Sequence, residues 1–169
     1  MEATTPVIVH TTRIILLVLS SLLFASAASA ADRQMTREKY DTYLQRFNSG
    51  DDRYAEAYDE NVIFDHGPFF GVLKGRQAIV DFYRDIRTKL KETVTASAVA
   101  IDNEHGIMAA ELSTRLVATR DGVEMPSGHL DNGDAIISRG TVYYGLKDGQ
   151  IVSIRGGVSG ATRIPALKQ

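Results

Sequence analysis

From Thr36 onward the apolar positions recur with a helical period. Tyr40, Tyr43, Leu44 and Phe47 fall at i, i+3, i+4 and i+7, a single stripe along one helix face. Thr36 stands where an N-cap belongs and Gly50 where a helix stops. Asp51 or Asp52 can begin a second short helix with the stripe Tyr54, Ala57 and Tyr58. Residues 61–65 read as a strand, and residues 66–74 as a loop punctuated by Gly67, Pro68 and Gly71. A third helix is predicted over residues 76–91, with Ile79, Phe82, Tyr83, Ile86 and Leu90 on one side. After Glu92 the period falls to two. Strands are predicted at 93–102, 107–119, 135–146 and 151–155, with a glycine-rich loop over 120–134. Asp148-Gly149 is a favoured pair for the tight turn between the last two. Helices followed by a meander of strands predict an α+β fold. Its architecture is a cone: a curved antiparallel sheet, covered by three N-terminal helices, encloses a pocket.

Ahead of this pattern, residues 14–24 form an apolar core of export-signal length, and Ala28-Ser29-Ala30 fits cleavage before Ala31. The expected organisation is a signal peptide over residues 1–30 and one domain over 31–169. That predicts a secreted or periplasmic protein. Counting the alanines through Ala31 brings the run near the roughly 20 residues of a membrane span, so an uncleaved anchor is the alternative. A start assigned too far upstream of Met35 is a third.

Composition narrows the partners. Hydrophobic residues make up 44% and charged residues 24%, the balance of a globular chain. A net charge of −2 gives no basic surface for nucleic acid. With no cysteine there is no disulfide, thiol nucleophile or cysteine metal site. His10, His66, His105 and His129 show no ligand spacing, so no metal is expected, although Asp65, His66 and His129 could meet in space. No nucleotide loop or serine-hydrolase elbow is present, and Gly156-Gly157-Val158-Ser159-Gly160 is not one.

The candidate chemistry centres on Val62-Ile63-Phe64-Asp65, an apolar run ending in a carboxylate. Held at the mouth of a hydrophobic cavity, Asp65 would lose hydration, and its raised pKa would make it a proton shuttle. The plainer reading is a cap on the Gly67-Pro68 turn. His66 adjoins it but points to the other face if the strand continues, which makes it a rim or loop histidine. Glu111 interrupts an apolar strand, either as a second acid in the cavity or as an outward carboxylate. His129 lies in a loop that could lid the pocket. Phe69, Phe70 and Met125 join no stripe and could line or cover a ligand site, or meet a second subunit. Tyr83 faces the pocket from the third helix. In the strand 135–146, an odd face with Thr141 and Tyr143 competes with an even face of Val142, Tyr144 and Leu146.

Four segments carry a family resemblance: Asn48-Ser49-Gly50-Asp51, Tyr58-Asp59-Glu60-Asn61-Val62-Ile63-Phe64-Asp65, Leu73-Lys74-Gly75-Arg76-Gln77-Ala78-Ile79, and Asp148-Gly149-Gln150-Ile151-Val152. Over residues 36–155 the chain resembles the nuclear transport factor 2-like superfamily. Within it, the chain is similar to the SnoaL-like group that includes polyketide cyclases and ketosteroid isomerase. The resemblance implies cofactor-free acid/base catalysis of isomerase, cyclase or dehydratase type on a small hydrophobic carbonyl compound. It also implies a homodimer. Matched to the isomerase pattern, Asp65 would be the general base and Tyr43 the donor to the oxyanion. The second donor position holds Thr141 rather than a carboxylic acid, a departure from steroid isomerases. The same fold also hosts non-catalytic ligand-binding or dimerisation modules. It hosts epoxide hydrolases as well, whose water activation would here need Asp65, Arg115 and Asn132 to converge.

Overall fold

Thr36 begins the first helix: its side-chain oxygen accepts from the Lys39 N–H at 3.2 Å. The structure, a computed structural model, describes residues 33–68, 70–126 and 128–166. Helix α1 spans Arg37–Ser49 and ends at Gly50 with φ 75°. There the Gly50 and Asp51 N–H groups donate to the last carbonyls, those of Phe47 and Arg46. The expected stripe is the buried one: Tyr40, Tyr43, Leu44 and Phe47. A 3₁₀ helix, Asp52–Ala57, follows under an Asp51 cap. Helix α2 spans Arg76–Arg87 and stops short of the expected residue 91. The Thr88 hydroxyl folds back onto the Asp85 carbonyl at 2.7 Å, and Leu90 already belongs to a strand.

The six strands are β1 (Tyr58–Asp65), β2 (Val72–Lys74), β3 (Leu90–Asp102), β4 (Ile107–Ala118), β5 (Ala135–Lys147) and β6 (Gln150–Ile164). They form one open sheet in the order β2-β1-β6-β5-β4-β3. The sheet is mixed rather than purely antiparallel, because β1 pairs parallel to β6. Strand β6 also runs on to Ile164, well past the expected residue 155. Its glycines read as punctuation in sequence, yet each continues the ladder to β5. Asp148 and Gly149, at φ 50° and 78°, close the expected tight hairpin.

Register shifts bend the sheet. One lies between Ala96 and Ala98 in β3 and another between Arg139 and Gly140 in β5. At the second, the strands approach so closely that a Cβ on Gly140 would overlap the Gly157 carbonyl oxygen. Helices α1 and α2 pack on the inner face, where the main core gathers Tyr40, Tyr43, Tyr54, Tyr58, Val62 and Ile79. A smaller cluster of Leu90, Val123, Leu130 and Ile136 sits under the 120–134 loop. Two asparagines act as short strand partners. Asn48 pairs with both Val94 backbone groups at 2.8 Å, and Asn103 with both of Met35 at 2.9 Å.

The chain divides after Gln34, and all of these elements belong to the unit beginning at Met35. The expected signal segment, residues 1–30, lies outside the described residues. Among the described residues no helix is long and apolar enough to cross a membrane.

Candidate functional site

Between the helices and the inner sheet face lies a cavity of about 290 Å³. Leu44, Phe47, Val94, Leu112, Leu116 and Val142 give it apolar walls, and the exposed Phe70 and Val158 bring it to the surface. Its polar lining comes from Asp65, His66, Glu92, Thr114, Ser138 and Arg139, with the Tyr43, Tyr83 and Tyr144 rings. Pleating explains the selection. On β3 the side chains of Leu90, Glu92 and Val94 share the inner face, as do Leu112, Thr114 and Leu116 on β4.

Glu92 is the half-buried acid on the inner wall of this cavity. Among the described residues its side chain has no hydrogen-bond or ion-pair partner. Burial pushes its carboxyl from 4.5 up to about 7, and the nearby Arg87 guanidinium only partly opposes this. Arg87 is held behind the cavity wall, 5.3 Å from the Phe47 ring centre and 5.2 Å from that of Tyr54, and pairs with Asp52 at 3.3 Å.

His66 lies in an aromatic box, its ring centre 4.0 Å from Phe64, 5.2 Å from Phe82 and 5.4 Å from Phe70. Its Nε2 shares a hydrogen bond with the Tyr83 hydroxyl at 3.3 Å. Desolvation lowers its pKa to about 4 against the opposing charge of Asp65, so the ring is neutral at pH 7. Burial, and then the Glu92 charge, hold the Tyr83 hydroxyl well above the usual phenol range. Tyr43 is buried with its hydroxyl 2.9 Å from that of Tyr58, and Tyr40 pairs likewise with Tyr144 at 3.0 Å. Burial keeps the Tyr43 phenol protonated as well.

Asp65 differs from its expectation as a dehydrated acid. It borders the cavity but is exposed, and its Oδ1 accepts the Gly67 N–H at 2.9 Å. That is the turn cap. His66 does share the site, because β1 has ended at Asp65 and strand alternation no longer applies. Tyr83 and Phe70 line the cavity as anticipated. Phe69 lies outside the described residues.

Four other expectations are corrected. Glu111, Thr141 and Tyr143 point outward, because the even face of β4 and β5 is the inner one. Val142 and Tyr144 line the cavity in place of Thr141 and Tyr143. Tyr143 instead lies on the outer face with Arg155 5.9 Å over its ring. His129 is exposed and Met125 half-buried in a loop that packs on the smaller cluster, so neither lids the pocket. Arg115 points outward and Asn132 lies in that loop, its N–H on Asp121, so they do not converge with Asp65. Among the described residues no three His, Asp or Glu side chains gather as metal ligands.

Sequence reasoning missed Glu92, Thr114, Ser138 and Arg139. A signal for Glu92 existed: Leu90, Glu92 and Val94 alternate with Lys91 and Thr93, but with a helix expected to residue 91 and a strand from 93, Glu92 fell between the two.

The family model for the SnoaL-like domain matches residues 40–154. The chain belongs to the SnoaL-like family. A polyketide cyclase candidate from Xanthomonas campestris shares 24% identity and a TM-score of 0.60, over 74% of this chain and 90% of its own. A SnoaL-like polyketide cyclase from Agrobacterium tumefaciens shares 19% identity and a TM-score of 0.57, over 75% and 92%. An LEH-like epoxide hydrolase of M. tuberculosis shares 12% identity and a TM-score of 0.56, over 72% and 80%. These similarities establish the α+β cone of the SnoaL-like domain. Comparison with curated protein sequences gives no match.

Proposed function

We propose that this SnoaL-like domain is an enzyme that moves a proton within a small hydrophobic carbonyl compound, by isomerase, cyclase or dehydratase chemistry. The observation that carries the reading is Glu92, a half-buried carboxyl without a hydrogen-bond partner that lines an apolar cavity. A carboxyl that titrates near neutrality both accepts and returns a proton, which is what such chemistry requires. In the reaction, the Glu92 carboxylate takes the proton from the carbon beside the carbonyl, and the C–H electron pair moves to the carbonyl oxygen. The Tyr43 hydroxyl shares a hydrogen bond with that of Tyr58, and with Tyr58 turned to donate, Tyr43 would give its own proton in a hydrogen bond to that enolate oxygen. Glu92 then returns the proton to carbon. Asp65, the base expected from the sequence, is the second carboxylate at the mouth. If residues 1–30 act as an export signal, this chemistry takes place outside the cytoplasm.

The test follows α-proton exchange of 1-tetralone in D2O by NMR. The full-length protein should accelerate exchange over buffer, and Glu92→Gln should cost about 10²-fold or more, the usual scale for a lost general base. Exchange no faster than buffer, or a Glu92→Gln variant within twofold of the native protein, overturns the reading. A ketone that binds without exchanging marks a ligand-binding module instead.

A further inference from the structure

The inner sheet wall carries a polar row that the proton-transfer step leaves unused. Thr114 on β4 stands directly opposite Ser138 on β5 and opposite Val94 on β3, while Glu92 opposes Leu116 one inward position along. Adjacent inward positions place these three polar side chains on one small patch. Arg139 follows Ser138 and also borders the cavity, at an exposed odd position of β5 beside the register shift. Among the described residues, the Thr114 and Ser138 hydroxyls and the Arg139 guanidinium have no side-chain hydrogen bond or ion pair. Tyr43, Tyr83 and Tyr144, which line the same cavity, each have their hydroxyl paired within the protein. The row is therefore unlike the rest of the lining.

Polar groups enclosed by apolar walls are ordinarily paired, and discrimination is strongest where a site loses those pairs with the wrong ligand. From this arrangement we infer that Thr114 and Ser138, with Arg139 beside them, form a specificity subsite for a hydroxyl group on an otherwise hydrophobic ketone. The inference rests on the proton-transfer reading for the ketone and stands apart from it for the hydroxyl. A hydroxyl suits the row because serine and threonine both donate and accept, so either partner can turn to match it. A cationic amine does not. It would approach the positive charge of Arg139 at the cavity border, with Arg87 behind the wall. A carboxylate would meet Glu92, charged above about pH 7. At about 290 Å³ the cavity is at the small end of ligand sites, which favours one or two rings with a single polar substituent.

The experiment compares 1-tetralone with 6-hydroxy-1-tetralone by titration calorimetry on the full-length protein. The hydroxylated ketone should bind about tenfold tighter, the scale of one well-made hydrogen bond in a dry site. Thr114→Val and Ser138→Ala should each remove most of that preference, read as the ratio of the two ketones' affinities for the same variant. Thr114→Ser, which keeps the hydroxyl, should retain it, and unchanged circular dichroism shows that each variant is folded. Equal binding of the two ketones by the native protein, or full preference in both hydroxyl-deleted variants, overturns the subsite. So does the absence of binding by either ketone. Preference without α-proton exchange leaves the subsite standing and removes the catalytic reading; exchange without preference does the reverse.

Discussion

The end of β1 and the start of β3 each bring a carboxylic acid to the same cavity, and they treat it in opposite ways. Asp65, the last residue of β1, leads into a turn, stays exposed and accepts the Gly67 N–H. Glu92 stands between Leu90 and Val94 on an inward face, with no partner and a pKa near 7. The lesson concerns what burial does to a group rather than what the group is. A carboxyl at a turn finds a ready backbone donor and open water. One on a pleated wall has little water and no donor, so its neutral form is favoured.

The sharpest way to break the contrast is catalytic. In the 1-tetralone assay Glu92→Gln should cost about 10²-fold, and Asp65→Asn less than about tenfold, compared side by side at pH 8. Reversed magnitudes would return the proton-transfer role to Asp65.

Stability supplies the next contrast. Glu92 ionises near 4.5 when unfolded and near 7 when folded, so the folded state holds the extra proton between those values. The fold therefore loses stability as pH rises through that window, and the deficit stays constant above it. At about 1.4 kcal/mol per unit, the ceiling is about 3 kcal/mol. Denaturant melts should show Glu92→Gln gaining on the native protein from pH 4.5 to 7 and then levelling off. The difference between variant and native is the quantity to follow, because His66 pulls the other way. Its folded pKa lies below its unfolded one, at about 4 against 6.5, so it makes the fold more stable as pH rises between them.

A smaller effect tests the tyrosine pairs. Tyr43→Phe leaves the buried Tyr58 hydroxyl without its partner and should cost about 1–3 kcal/mol in denaturant melts. Tyr40→Phe should cost a similar amount through Tyr144, but it should slow exchange less than Tyr43→Phe, because the proposed donor is intact. The smallest effect belongs to the outer sheet face. Glu111→Gln and Thr141→Val should leave exchange within about twofold and stability within about 0.5 kcal/mol.

Much of the fold was legible because its signals are local. The α1 stripe, the Thr36 cap, the Gly50 stop and the Asp148-Gly149 hairpin each need only a few neighbouring residues. What escaped needs information from far along the chain. The parallel pairing of β1 with β6 joins strands some ninety positions apart, and nothing in either segment announces it. The glycines of β6 look like breaks until β5 is there to pair with them. The inward parity of β5 was undecidable, since Thr141 and Tyr143 form as plausible a face as Val142 and Tyr144. The site suffered most from a boundary error of a few residues. With the helix expected to reach residue 91 and the next strand to begin at 93, Glu92 fell between them, and Asp65 stood as the conspicuous acid.

Gly140 carries one last consequence. Because the main chain of β6 presses against the place where a side chain would stand, the hollow owes its depth to a missing methyl group. Replacing residues along the walls can retune which molecule is accepted. Adding a single carbon at position 140 would push β5 and β6 apart at the bend, changing the shape of the room before any occupant could be chosen.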